Sequence, residues 1–364
     1  MFSPHPLKQI LKETTSDWDH DGTPQNAREN FWKIINCGTA ALGAEVLASA
    51  TEWRIVYHTC KSRFCPSCGA RAAAIWQEEL EVALPDIPYI EINFTMPRVF
   101  WAILRQNPHL LADLPALGAA TIEFLAKARF GGVRVILMVI QQTYGGFLNF
   151  YPHLHTLVSA GGLKISSGRW IARLNLNKHE MMLAWRYALL AYLHEAIRVD
   201  ILKSDFSKNE LTKMLQSEGK RPWNVFIGRP VSKRAVVDHI GRYIRKPPVA
   251  QKRLRRISDE EIEYLAKDTK HQRFTPLGYS KKAFVATLIP HVPNRYRNSM
   301  RYFGLLSPRL KSMLSLVFLL LKQKKRPIPS PLSWSQLRYK IFGVDPSIDS
   351  CGERMVWIGR LGPA

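Results

Sequence analysis

Tyr151-Pro152-His153-Leu154-His155-Thr156-Leu157-Val158 is the stretch from which the fold reads outward. It is an apolar run with the character of a β-strand. Side chains alternate faces along a strand, so His153 and His155 project together and Leu154 points the opposite way. Two imidazoles on one face can share a divalent metal. They can also be satisfied or surface histidines, and the spacing alone leaves both readings open.

Residues 133–144 form a β-rich run just upstream, and Gly145-Gly146 separates it from the histidine strand. Strand, glycine turn, strand predicts a hairpin whose second arm carries the two imidazoles. Tyr89-Ile90-Glu91-Ile92-Asn93-Phe94-Thr95-Met96 alternates between Pro88 and Pro97 and predicts another strand. Residues 99–130 are helical in pattern, interrupted near Pro108 and Pro115. Residues 176–202 carry Met181, Met182, Trp185, Leu189 and Leu193 at helical spacing, a core-facing stripe. Residues 207–216 read as a capped helix, 223–227 as a strand, and 232–246 as a helix stopped by Pro247-Pro248. Helices follow at 281–289 and 308–322, then a Lys/Pro-rich linker at 322–331.

Strands separated by long helices around a hairpin predict an α+β fold, with a central antiparallel sheet and helices packed on it. We divide the chain into a polar N-terminal arm (1–30), a cysteine-bearing segment (31–85), the sheet domain (86–256) and a basic, helical C-terminal region (257–364).

Lys plus Arg total 52 against 29 Asp plus Glu, a net charge of +23, which favours a polyanionic partner. No polybasic amphipathic helix sits beside a lipid anchor, and the N-terminus lacks a basic-then-apolar signal layout. The longest apolar run, Met313 to Leu321, is too short to span a bilayer and reads as a buried helix. We therefore expect a cytoplasmic protein with no membrane partner. Of five cysteines, three cluster as Cys60, Cys65 and Cys68, which favours a metal over a disulfide framework.

The Cys65-x-x-Cys68-Gly69 knuckle is a zinc signal. Cys37 or His58 can complete a four-ligand set with Cys60, Cys65 and Cys68. Packing of these cysteines as small hydrophobes is the alternative. Downstream, in Val237-Asp238-His239-Ile240-Gly241-Arg242-Tyr243-Ile244-Arg245-Lys246, His239 and Tyr243 share a helical face. Arg242, Arg245 and Lys246 surround the phenol with positive charge, which suits a phosphodiester and eases phenolate formation. A partly buried core tyrosine is the plainer reading of the same helix.

The combined order of these blocks resembles the HUH transposases of the insertion-sequence-91-like and common-region class. The zinc-ribbon-like block is His58-Thr59-Cys60-Lys61-Ser62-Arg63-Phe64-Cys65-Pro66-Ser67-Cys68. The His-hydrophobe-His strand follows at 152–163, then Tyr243-Ile244-Arg245-Lys246-Pro247-Pro248. Arg301-Tyr302-Phe303-Gly304-Leu305-Leu306-Ser307 also resembles the family, and the likeness runs from about residue 30 to the C-terminus. His239 stands where two-tyrosine members carry their first tyrosine, so the chain resembles the single-tyrosine type. Leu47 and Ala50 replace the family's upstream C-x-x-C. Ile348 and Cys351-Gly352 stand where it carries a C-terminal C-x-x-C-G, so no second zinc is expected.

The resemblance implies DNA nicking and rejoining at element ends through a 5′-phosphotyrosine. Tyr243 would be the nucleophile, and His153 and His155 would hold Mg²⁺ or Mn²⁺. Gln142, on the partner hairpin strand, is our candidate third ligand; Gln141 should face the other way. One Zn²⁺ is expected in the cysteine segment. The substrate would be single-stranded or hairpin DNA, tracked by Arg242, Arg245, Lys246, Lys252, Arg253, Arg255 and Arg256, although residues 252–256 also read as a solvated loop. With one tyrosine, a second cut needs turnover or a second subunit, so a homodimer is one expected assembly. A rolling-circle replication initiator and a non-catalytic zinc-dependent DNA binder are the alternatives.

Overall fold

The structure is a computed structural model and describes residues 6–241, 247–268, 271, 273–294, 298–327 and 332–364. The chain opens on helices α1 (Pro6–Glu13), α2 (Thr15–Trp18) and α3 (Gln25–Asn36), followed by strands β1 (Ala44–Ala48) and β2 (Trp53–Tyr57) and helix α4 (Pro66–Ala83). The expected polar arm is instead helical. Leu7, Ile10 and Leu11 fall on one face of α1 and are fully buried, as are Trp18 and Phe31. Charged residues between them cover only the outer surface, which is why the segment looks loosely patterned. The boundary expected at residue 30 falls inside α3.

The middle of the chain gives β3 (Tyr89–Phe94), α5 (Val99–Gln106), α6 (Pro108–Phe130), β4 (Val133–Arg134), β5 (Ile136–Tyr144), β6 (Phe150–Ser159), β7 (Gly162–Lys164) and β8 (Arg169–Ile171). Helices α7 (Lys178–Arg198) and α8 (Lys208–Gly219), strand β9 (Val225–Ile227) and helix α9 (Lys233–His239) follow. The last third gives β10 (Leu254–Ile257), β11 (Glu261–Asp268), β12 (Arg273–Ser280), α10 (Lys281–Leu288), β13 (Met300–Gly304), α11 (Lys311–Leu320), α12 (Trp334–Phe342) and β14 (Val356–Leu361).

The central sheet has the order β13-β5-β6-β3-β9, and every neighbouring pair is antiparallel. β5 and β6 form the expected hairpin. Gly146 sits at its tip because a Cβ there would lie 2.0 Å from the Lys267 carbonyl oxygen of β11. One sheet face carries Ile92, Phe94, Leu137, Val139, Leu154 and Val158, packed with residues of α5, α6 and α7 in one buried cluster. Trp185 of α7 lies 4.8 Å from Phe94, ring to ring, and its indole N–H donates to the Thr95 carbonyl at 2.8 Å. The opposite face carries Tyr89, Ile136, Met138, Ile140 and Leu157, clustered with Trp76 and Leu80 of α4, Val236 and Val237 of α9, and Val317 and Phe318 of α11.

α6 is long and apolar enough to cross a membrane, yet Leu110, Leu114, Ile122 and Ala126 are buried against the sheet. Pro115 lies inside this helix and has no N–H to offer the Leu111 carbonyl. The Gln141 amide donates to that carbonyl instead, and Arg301 donates to Ala112 O at 2.8 Å. Side chains from β5 and β13 thus repair the break and let the helix continue.

The C-terminal region is not a separate helical unit. β13 forms an edge of the central sheet, β11 and β12 pair beside β10, and β14 pairs with β1. Buried residues of α1, α3, β10, β11 and α10 also share one core with Cys37, Cys65 and Cys68. β12 contains Pro276 and Gly278 and lies at the edge of its sheet, where a missing N–H is tolerated.

Candidate functional site

Alternation along β6 places His153 and His155 on the face covered by α4 and α9, at the end of the sheet near the hairpin tip. His153 Nδ1 lies 2.8 Å from the Tyr151 carbonyl oxygen. A carbonyl only accepts, so Nδ1 carries the proton and Nε2 of the neutral ring presents a lone pair. His155 Nδ1 lies 3.0 Å from Glu91 Oε1, which fixes the same tautomer. The two Nε2 atoms face each other at 3.0 Å. Two lone pairs at that distance need a shared proton or a shared cation between them. Burial and the neighbouring His155 hold the His153 pKa down to about 4, so the ring stays neutral and able to coordinate.

Glu91 was missed by the sequence reading. It is the one acid in the otherwise apolar and amide-bearing run of β3, and that isolation was the available signal. Burial works to raise its pKa, but its partners, the hydrogen bond from His155 foremost, hold the carboxyl below its ordinary value. Its second oxygen lies 3.4 Å from His239 Nε2. Glu91 therefore joins the histidine strand to α9, the helix that leads toward Tyr243. Tyr243 itself, with Arg242, Arg245 and Lys246, lies outside the described residues.

Gln142 stands directly opposite His153 in the β5–β6 register and is buried on the same face. Gln141 faces the other way, toward α6. Lys252, Arg255 and Arg256 are exposed, while Arg253 lies 5.6 Å from the Phe274 ring centroid. The stretch expected as an irregular loop forms a short helical turn and β10.

The cysteines form a second centre. Sulfurs of Cys37, Cys60, Cys65 and Cys68 all lie within 4.8 Å of one another. The separations Cys37–Cys68, Cys60–Cys68 and Cys37–Cys65 are 3.6, 3.7 and 3.9 Å. Four thiolates at about 2.3 Å from a tetrahedral zinc stand about 3.8 Å apart, so this arrangement fits the ion. Cys37 ends α3, Cys60 follows β2, and Cys65 and Cys68 open α4, whose N-terminal dipole favours thiolate. Hydrogen bonds from Cys60 and Cys65 lower the Cys37 pKa to about 7, and those from Cys37, Cys60 and Cys65 lower that of Cys68, while contacts within the cluster raise those of Cys60 and Cys65. The fourth sulfur of the cluster is that of Cys37. His58 is excluded because its Nδ1 and Nε2 engage Leu42 O and Glu45 Oε1, both at 2.9 Å. Cys351 is exposed, away from this cluster.

Two family models match the chain. One, described as "Putative transposase", covers residues 136–313, from the hairpin to the start of α11; the other, "Transposase zinc-binding domain", covers residues 8–96. The second match reaches back into α1, in agreement with the shared core there. Together they define a transposase with an N-terminal zinc-binding domain, and DNA is accordingly its partner. The chain is 28% identical over 378 residues to the transposase for insertion sequence element IS801 of Pseudomonas savastanoi pv. phaseolicola, covering 99% of this chain and 91% of that protein. It is 30% identical over 309 residues to "Putative transposase y4qJ" of Sinorhizobium fredii, covering 80% of this chain and 77% of that protein. The chain belongs to the insertion-sequence-91-like transposase family. No solved structure matches it.

Proposed function

We propose that this transposase nicks and rejoins single-stranded DNA at element ends through a 5′-phosphotyrosine on Tyr243. His153 and His155 would hold Mg²⁺ or Mn²⁺, with Gln142 as third protein donor. The observation that carries this reading is the pair of Nε2 lone pairs 3.0 Å apart, each ring's other nitrogen already committed. When bound, the divalent ion polarises the scissile phosphate and offsets transition-state charge.

The Tyr243 oxygen forms a bond to phosphorus as the bond to the 3′-oxygen breaks, and that oxygen leaves as a 3′-hydroxyl after taking a proton. The phenolic proton passes to a general base. His239, four residues earlier and held by Glu91, is our candidate. Because the phosphodiester energy is kept in the tyrosyl link, rejoining needs no ATP. One Zn²⁺ on Cys37, Cys60, Cys65 and Cys68 would fasten α3, β2 and α4 together rather than take part in the chemistry.

The test is cleavage of single-stranded oligonucleotides from the element's ends in Mn²⁺. A covalent protein–DNA adduct should form, and should vanish with EDTA and in Tyr243→Phe. An adduct that survives in Tyr243→Phe overturns the assignment. Tyr151, whose ring stacks on His153 at 4.6 Å, is then the first phenol to test.

A further inference from the structure

Beyond the histidine pair, a cavity of about 620 Å³ lies where the zinc-binding domain meets the hairpin and the N-terminal end of α6. Its size falls within the roughly 300–1,000 Å³ of small-ligand sites. Arg63, Arg105 and Arg301 all line it. Among the described residues none of the three makes an ion pair, and Arg63 and Arg105 are exposed at its rim. Asp17 is the only acid lining it among the described residues, and it pairs with Lys282 at 3.4 Å. A concave wall with uncompensated arginines attracts an anion and fits a phosphate. The floor is different: Gln142, Thr143, Tyr144 and the buried His291 supply amide, hydroxyl and ring surface. Cationic rim over a polar, aromatic floor suits a phosphate outside and a planar base within.

Position ties this cavity to the histidine pair. Gln142 lines it and stands opposite His153 across the β5–β6 ladder. We propose that the cavity receives one unpaired nucleotide of the DNA strand adjoining the phosphate to be cut. Its base inserts against the Tyr144 and His291 floor, and its backbone is held by Arg63 and Arg105. This rests on the single-strand reading above and adds to it a base-reading subsite beside the metal ligands, with Gln142 at the border of the two. It also gives the zinc-binding domain a direct share in recognition, because Arg63 lies within the cysteine block.

The test uses the full zinc-containing chain without Mn²⁺. Fluorescence anisotropy compares a mixed-sequence strand of roughly 20 nucleotides with an abasic strand of equal length. Wild type should bind the base-bearing strand at least about tenfold more tightly. Ala286→Trp puts an indole into the cavity from its exposed wall and changes no charge. It should reduce that ratio below about twofold while leaving abasic binding unchanged. The double variant Arg63→Ala with Arg105→Ala should weaken both strands, with a shallower salt dependence. Zinc content and circular dichroism report folding for each variant. A ratio near one in wild type, or one unchanged in Ala286→Trp, overturns the inference. The adduct assay separates the two readings: adduct formation with no base-dependent binding removes the cavity alone, and base-dependent binding with no adduct removes the nicking reaction alone.

Discussion

Glu91 and His155, on neighbouring strands, meet at 3.0 Å, and the same carboxylate reaches His239 at 3.4 Å with its other oxygen. One acid thus orients an imidazole of the sheet and pins the helix that precedes Tyr243. A carboxylate behind a histidine fixes its tautomer and raises its basicity toward a metal. Glu91→Gln keeps the shape but allows the amide to present its N–H to Nδ1. We expect Mn²⁺ affinity to fall about 10- to 100-fold, measured by titration calorimetry. An affinity within twofold of wild type would show that the carboxylate does not serve the metal.

The cysteine cluster makes a sharper distinction. Cys37→Ser removes one corner of the tetrahedron, whereas His58→Ala removes only a hydrogen-bond partner of Glu45 and Leu42. Purified wild type and His58→Ala should each carry about one equivalent of zinc, and Cys37→Ser well under half. Elemental analysis decides this, and equal zinc in Cys37→Ser would return the fourth position to another residue.

The hairpin and the histidine face were legible because strand alternation is a local property, complete within ten residues. The helix with the apolar stripe, α7, was legible for the same reason, and α6 in part, since its run reads as helical but the interruption expected at Pro115 does not occur. What escaped was built from distance. β13 and β14 are short and gain their meaning only by pairing with β5 and β1. α1 looked like a loose arm because three buried residues among lysines make a weak pattern until their partners are known. Glu91 could be read as a polar interruption of a strand, but its bond to His155 joins residues 64 apart in sequence. The choice between Cys37 and His58 likewise needed the fold, since both lie at plausible spacing.

His291 offers a pH test at a histidine that is not itself one of the proposed metal ligands. Burial, with a smaller push from Arg105, depresses its pKa to about 4, against the accepting Leu148 carbonyl that works to raise it. The folded state therefore resists protonation while the unfolded chain takes a proton near its ordinary value of about 6.5. Stability is present above that value and is lost as pH falls toward 4. Between pH 7 and 5 the wild type should lose about 2 kcal/mol more than His291→Asn, by urea unfolding at each pH. Equal losses in the two proteins would mean that His291 is protonated in the folded state.

Gly69 closes the cysteine knuckle and carries a wider load than its place in Cys65-x-x-Cys68-Gly69 suggests. A Cβ on it would lie 2.5 Å from both the Arg63 carbonyl oxygen and Pro247 Cγ. Neither neighbour can swing aside freely: one is backbone, the other a ring. Pro247 follows directly on the segment holding Tyr243, so the contact ties the zinc-binding domain to the residue where that segment ends. Gly69→Ala should cost about 1–3 kcal/mol of stability, the usual range for overpacking a tight contact. It should also lower adduct formation more than DNA binding, since the displaced element follows Tyr243 rather than the basic surface. Unfolding midpoints, anisotropy and adduct yield on one preparation test this. If yield and binding fall together, the contact serves only the fold.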